Sequence, residues 1–205
     1  MLAARYRVEV RDKDDKLVTV IEGDSKSFTM NFIKLLIASH YNQNDVPTFA
    51  FYDVYGNVFY TGNVQSPNIG LPSQIFNISF TVPGVWLGTS SCANPALASG
   101  FCGSIVRLSP YNLSPNAPCF GIMSCSPSLT EEGWTLSITA QWLNTSGSPV
   151  TVASMALVFS TVSTSGSEGS LVVVPYAAII DNLPSPVTVW PGFLITVSYT
   201  IYFPV

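Results

Sequence analysis

The sequence predicts a mainly β protein, an antiparallel β-sandwich or jelly-roll-like domain with a small N-terminal α+β element made of a hairpin and one helix. Three observations predict it. Leu136, Ile138, Ala140 and Trp142 alternate strictly with Thr135, Ser137, Thr139 and Gln141, which is the period of a strand with one buried face. Phe193, Ile195, Val197, Tyr199, Ile201 and Phe203 repeat the pattern against Thr196, Ser198 and Thr200. Turn-forming clusters separate such runs, as expected of an antiparallel sandwich rather than an α/β enzyme fold.

Taken in order, Tyr6, Val8 and Val10 alternate with Arg7, Glu9 and Arg11, Asp12-Lys13-Asp14-Asp15 reads as a turn, and Leu17 to Ile21 returns as the second strand of a hairpin. A helix is expected from about Lys26 to Ser39, capped by Asp24 or Ser25. Phe28, Phe32, Leu35 and Leu36 give it an apolar stripe, and Met30, Ile33 and Ile37 widen the stripe until little of the helix can face water. Thr48 to Tyr60 reads as a second hairpin with Tyr55-Gly56-Asn57 at its turn.

From Gly62 to Pro127 eight prolines interrupt short apolar pieces, so strands joined by long loops are expected. Asn144 to Pro149 is a turn, and Ser160 to Ser170 a Gly/Ser loop. The domain organisation that follows is a hairpin-helix-hairpin element over 1–62 and a sandwich over 63–205, with an irregular Pro- and Cys-rich segment at 84–127.

The 205 residues suffice to bury a sizeable core. They are 47% hydrophobic and 10% charged, against roughly 25% charged in an ordinary soluble domain. Ser, Thr, Asn, Gly and Pro must therefore cover the surface, and a polar but nearly neutral exterior favours close packing against other chains. Seven of the eight basic residues lie between Arg5 and Lys34, and the formal net charge is −4. Direct nucleic-acid binding, which needs clustered Lys and Arg, is not expected. Neither a cleaved signal peptide nor a membrane span is expected: the start enters an alternating strand, and the apolar runs Phe32–Ala38 and Leu171–Ile180 are short or broken by Lys34 and Pro175.

Catalytic chemistry finds few groups to use. His40 is the one histidine; it would have to serve as the base of any nucleophilic triad, and a helix-end position near free carbonyls explains it as well. Asp12, Asp14 and Asp15 lack the glycine and distal glutamate of a calcium loop. Glu131 and Glu132 are adjacent, so on a strand they point to opposite faces instead of converging as an acid–base pair. No enzyme activity and no cofactor or resident metal are expected.

Cys92, Cys102, Cys119 and Cys125 all fall in the irregular segment. Their spacing lacks the CxxC of zinc ribbons, so two disulfides fit better than a zinc site. Local pairing, Cys92 with Cys102 and Cys119 with Cys125, would staple loops that lack regular hydrogen bonding, and pairing across the two segments is the alternative. Asn77, Asn112 and Asn144 each begin a glycosylation acceptor triplet. Trp86 and Trp190, beside Gly and Pro, are candidates for interface aromatics.

The run Leu136 to Val152, and later Leu183 to Ile201, resemble the closing β-sandwich segments of virion proteins from thermophilic and archaeal viruses. Val8 to Asp15, with Gly23-Asp24-Ser25 and Asn31-Phe32 after it, looks like the opening of the same kind of protein. The resemblance covers less than half of the chain. It implies a non-enzymatic virion structural protein, assembled in the host cell, with itself and other virion proteins as partners. Small size and the lack of an apolar span look most like a tail or vertex component, such as the tail adaptor of a spindle-shaped virus. The cysteine-bearing middle departs from the pattern and is where a specific partner would be met. Two alternatives are a host-attachment or glycan-binding spike that touches the host surface through Trp86 or Trp190, and a secreted archaeal surface or pilus-associated protein.

Overall fold

The structure is a computed structural model of the chain and describes residues 3–25, 28–38, 48–60, 84–98, 103–104, 106, 108–110, 124–130, 133–165 and 170–204. Its strands are β1 (Ala3–Arg11), β2 (Leu17–Ser25), β3 (Ala50–Tyr52), β4 (Val58–Tyr60), β5 (Gly84–Gly88), β6 (Ser109–Pro110), β7 (Ser124–Thr130), β8 (Gly133–Leu143), β9 (Val150–Ser165), β10 (Ser170–Val189) and β11 (Leu194–Pro204). One α-helix, α1 (Met30–Ala38), and a short 3-10 turn at Pro95–Leu97 accompany them. The protein is mainly β, and all of its strand pairings are antiparallel.

A large sheet runs in the order β2-β1-β11-β8, with β6 and β7 both pairing β8; a smaller one runs β10-β9-β5, and β3-β4 is a separate hairpin. Alternation decides how the two larger sheets meet. Val8, Val10, Ile138, Ala140, Ile195, Val197, Tyr199 and Ile201 form the inner face of the large sheet and pack on Met155, Leu157, Phe159, Val174 and Tyr176 of the smaller one. Removing one such side chain, for instance Ile138→Ala, costs about 2–5 kcal/mol, because the packed neighbours cannot fully close the hole.

The smaller sheet is buried on both faces, which explains why its strands read as continuous apolar runs. Ala156, Val158, Ala177 and Ile180 point away from the large sheet and form a second cluster with Val54 and Cys92, against which Trp86 and Ala98 pack. The β3–β4 turn is held over this side by Asp53: its Oδ1 accepts from the amides of Tyr55 and Asn57, both at 2.8 Å, and Val54 N donates to Pro175 O at 2.9 Å. Gly56 takes φ 87°, as the expected tight turn requires.

Several expectations are corrected. The N-terminal hairpin joins the large sheet, because β1 pairs with β11 along its whole length; the expected boundary at residues 62 and 63 falls outside the described residues. The helix starts at Met30, not near Lys26. β2 extends through Ser25, so Asp24 and Ser25 are strand residues, and Thr29 is the cap: its Oγ1 accepts from Phe32 N at 3.2 Å and donates to Ala177 O at 2.5 Å. Phe28 forms an isolated bridge with Ile179 instead of belonging to the helical stripe.

Phe32 and Leu35 bury the inner face of α1, while Met30 and Ile37 stay exposed, so the helix is less covered than its composition suggests. The expected loop at Ser160–Ser170 is shorter too. β9 continues to Ser165 and pairs there with Ser170, leaving only residues 166–169 outside the description.

Candidate functional site at the edge of the large sheet

Eleven of the twenty charged residues lie between Arg5 and Asp24, on the β1–β2 hairpin. The turn between the strands is built by Asp12, whose Oδ1 accepts from Asp14 N at 2.9 Å and Lys16 N at 3.0 Å, with Asp15 at φ 62°. That turn chemistry fixes the register, and the register decides which side chains meet. Arg5 lies opposite Asp24, Arg7 opposite Glu22 and Glu9 opposite Val20, all on the outer face.

The resulting ladder is geometrically tight. Arg5 Nε donates to Asp24 Oδ1 at 2.9 Å, Arg7 Nη1 reaches Glu22, and Arg7 Nε donates to Glu9 Oε1 at 2.7 Å. Arg11 closes the row on Glu9 Oε2 at 3.4 Å. The hydrogen bond from Arg7 holds the Glu9 carboxyl below its ordinary value against the opposing effect of partial burial, and the same bond raises Arg7. Exposed pairs of this kind add little stability; what they fix here is position.

Beside the ladder the outer face continues as hydroxyls. Thr139 and Ser198 share a hydrogen bond at 2.9 Å, and Gln141 Nε2 donates to Thr196 Oγ1 at 2.9 Å. Where the hairpin meets this hydroxyl face the surface is hollowed into a groove of about 420 Å³, lined by Arg5, Arg7, Glu22, Asp24, Thr200 and Tyr202 among others. Beneath it Gly23 keeps room for Tyr6, since a Cβ at that position would lie 2.6 Å from the tyrosine hydroxyl.

A second, apolar groove of about 680 Å³ runs along the free side of β2 toward the end of β10, between Val18, Val20 and Ile21 on one wall and Val187, Trp190 and Phe193 on the other. A register shift lies at one end of it. Val10 pairs with Thr19 and Arg11 with Leu17, so Val18 is left without a residue opposite, at a bulge. Val20 faces outward by ordinary alternation opposite Glu9; Leu17, Val18 and Val20 are all exposed, Val18 at 54%, and Trp190 is 52% exposed across the groove.

The residues singled out in the sequence are distributed unevenly. Trp190 lies on this rim, but Trp86 does not: it is half-buried in β5, with its ring 6.1 Å from that of Tyr55. Cys92 is disulfide-bonded and buried, and the Asn182 amide grips its backbone by accepting from Cys92 N at 2.7 Å and donating to Cys92 O at 2.8 Å. Cys102 and Cys119 lie outside the described residues, as does the side chain of Cys125, whose backbone belongs to β7.

Asn144, the first residue of one acceptor triplet, is enclosed by the fold. It is 1% exposed and its Nδ2 donates to Ser148 O at 3.0 Å and Val189 O at 2.8 Å, so the atom a glycan needs is consumed inside the turn. Asn77, Asn112, His40, Glu131 and Glu132 lie outside the described residues.

Among the described residues there is no group of three or more His, Cys, Asp and Glu placed to hold a metal ion, and no helix is long and apolar enough to cross a membrane. The rim valines and the groove residues Arg5, Arg7, Glu22, Asp24 and Tyr202 were not among the predicted site residues. One signal for the rim was available, because Leu17-Val18-Thr19-Val20-Ile21 is apolar without alternation and must show apolar groups on both sides. No protein-family model, curated protein or solved structure matches this chain.

Proposed function

We propose that this chain is a non-enzymatic virion structural protein that self-assembles and joins neighbouring subunits in a tail or vertex complex. The observation that carries the assembly reading is the apolar rim: Val18, Val20 and Trp190 lie exposed around one groove, with exposed Leu17 next to Val18 in sequence, in a chain with very few charges. Apolar side chains grouped in this way gain free energy when a second surface covers them, at about 25 cal/mol per Å² removed from water.

The bulge at Val18 and the prolines at 184 and 186 on the facing strand make both edges poor templates for adding another strand. The contact is therefore made by side chains, with Trp190 as its anchor. The virion setting rests on the resemblance of residues 136–152 and 183–201 to virion proteins, and the joining of other virion proteins follows from the same source.

Sedimentation velocity over a concentration series, together with mass analysis of purified particles, tests both halves. Self-association that Val18→Lys with Val20→Lys abolishes, at unchanged circular dichroism, is expected, as is presence of the chain in particles. A monomer at about 100 μM, a concentration that captures weak specific contacts, or absence from particles would sink the proposal.

A further inference from the structure

From the groove on the outer face of the large sheet, we infer that the protein carries a binding site for a neutral oligosaccharide. The inference is separate from the assembly reading, because the groove shares no lining residue with the apolar one and does not include Val18, Val20 or Trp190. Its volume of about 420 Å³ falls within the range of about 300–1,000 Å³ typical of small-molecule sites.

The lining selects the ligand class. Arg5 and Arg7 are pure donors, Glu22 and Asp24 are pure acceptors, and Ser198 and Thr200 can act as either. The two cations are matched by the two carboxylates, so an anionic ligand meets Glu22 and Asp24 and a cationic one meets the arginines. An apolar ligand would strip water from four charges and return nothing.

A polyol fits this array, because every hydroxyl it carries both donates and accepts. Tyr202, half-buried on β11 beside Thr200, presents an aromatic ring at the rim, against which the C–H face of a sugar ring packs. Arg5 pairs with Asp24 through Nε, and Arg7 pairs with Glu9 and Glu22, so both signs of charge line the groove side by side.

Isotope-labelled protein titrated with maltotriose, mannotriose and triacetylchitotriose, with sialyllactose as the charged comparison, tests the site by NMR. Saturable shifts at Arg5, Arg7, Thr200 and Tyr202 with at least one neutral sugar are expected, weakened by about tenfold or more in Tyr202→Ala and in Thr200→Val, the loss of one good contact. Trp190→Ala should leave the binding unchanged. Thr200→Val keeps a strand-forming residue on the same face, so it reports on the site even where Tyr202→Ala perturbs the sheet. No saturable shift with any neutral sugar up to about 10 mM, binding of sialyllactose alone, or binding untouched by both substitutions overturns the inference.

Discussion

At the scale of single residues, the informative side chains are polar groups enclosed by the fold. Asn144 is satisfied at both ends: Nδ2 serves two carbonyls, and Oδ1 accepts from Ser146 N at 3.0 Å and Ser146 Oγ at 2.7 Å. An aspartate there could keep the acceptor side but would set a carboxylate against two carbonyl oxygens. Asn144→Asp is therefore expected to cost about 2–3 kcal/mol near neutral pH, read as a shift in the urea midpoint with unchanged slope. Ser25 is the opposite case. Its Oγ is buried without a hydrogen-bond partner among the described residues, so it has given up water for no described hydrogen bond. Ser25→Ala should stabilise the protein by about 1 kcal/mol, and a lower urea midpoint in that variant would contradict this account.

At the scale of elements, β-strands were legible wherever one face is buried and the other wet, as in β1, β8 and β11. Strands covered on both faces lost their alternation: β9 and β10 are apolar runs because the second cluster around Val54 and Cys92 lies behind them. The start of the helix was misplaced for a local reason. Gly23-Asp24-Ser25 has the composition of a cap, but its pairing with Ala4, Arg5 and Tyr6 holds it in β2, a tertiary contact that propensity does not see. Thr29 instead ties the helix start to β10 through its hydroxyl and through its amide, which donates to Ala178 O at 2.9 Å. Thr29→Ala removes the cap and the Ala177 bond together but leaves the amide in place, and is expected to cost about 1–2 kcal/mol. If its thermal midpoint matches that of the parent, the hydroxyl does not anchor α1.

At the scale of the whole molecule, the sandwich and its inner faces could be read from the sequence, whereas the candidate site was legible only at Trp190 and the apolar run 17–21, because the pairing around both grooves depends on register. The charges of β1 and β2 meet as pairs only once Arg7 falls opposite Glu22, and Val20 shares their outer face because it falls opposite Glu9. The two sheets are also linked by a polar contact across the core, where the hydroxyl of Tyr199 on β11 donates to Asp181 Oδ2 on β10 at 3.2 Å. Burial raises the pKa of Tyr199 well above the ordinary tyrosine value, and the neighbouring Asp181 charge adds to it; burial raises Tyr176 as well, and Tyr6 is raised by burial and then by Asp181. Each of these folded-state values exceeds the unfolded value of about 10, so below that pH both states keep the proton and stability does not change on their account. Above it the unfolded chain releases protons that the folded chain retains, and ionisation pulls the equilibrium toward unfolding. The urea midpoint should accordingly show no tyrosine-linked slope between about pH 7 and 9 and fall progressively above about pH 10. Tyr199→Phe, which removes one retained proton, should make that decline shallower although it loses the Asp181 bond and lowers the midpoint at neutral pH. An alkaline decline as steep in Tyr199→Phe as in the parent would show that the link between the sheets does not govern it.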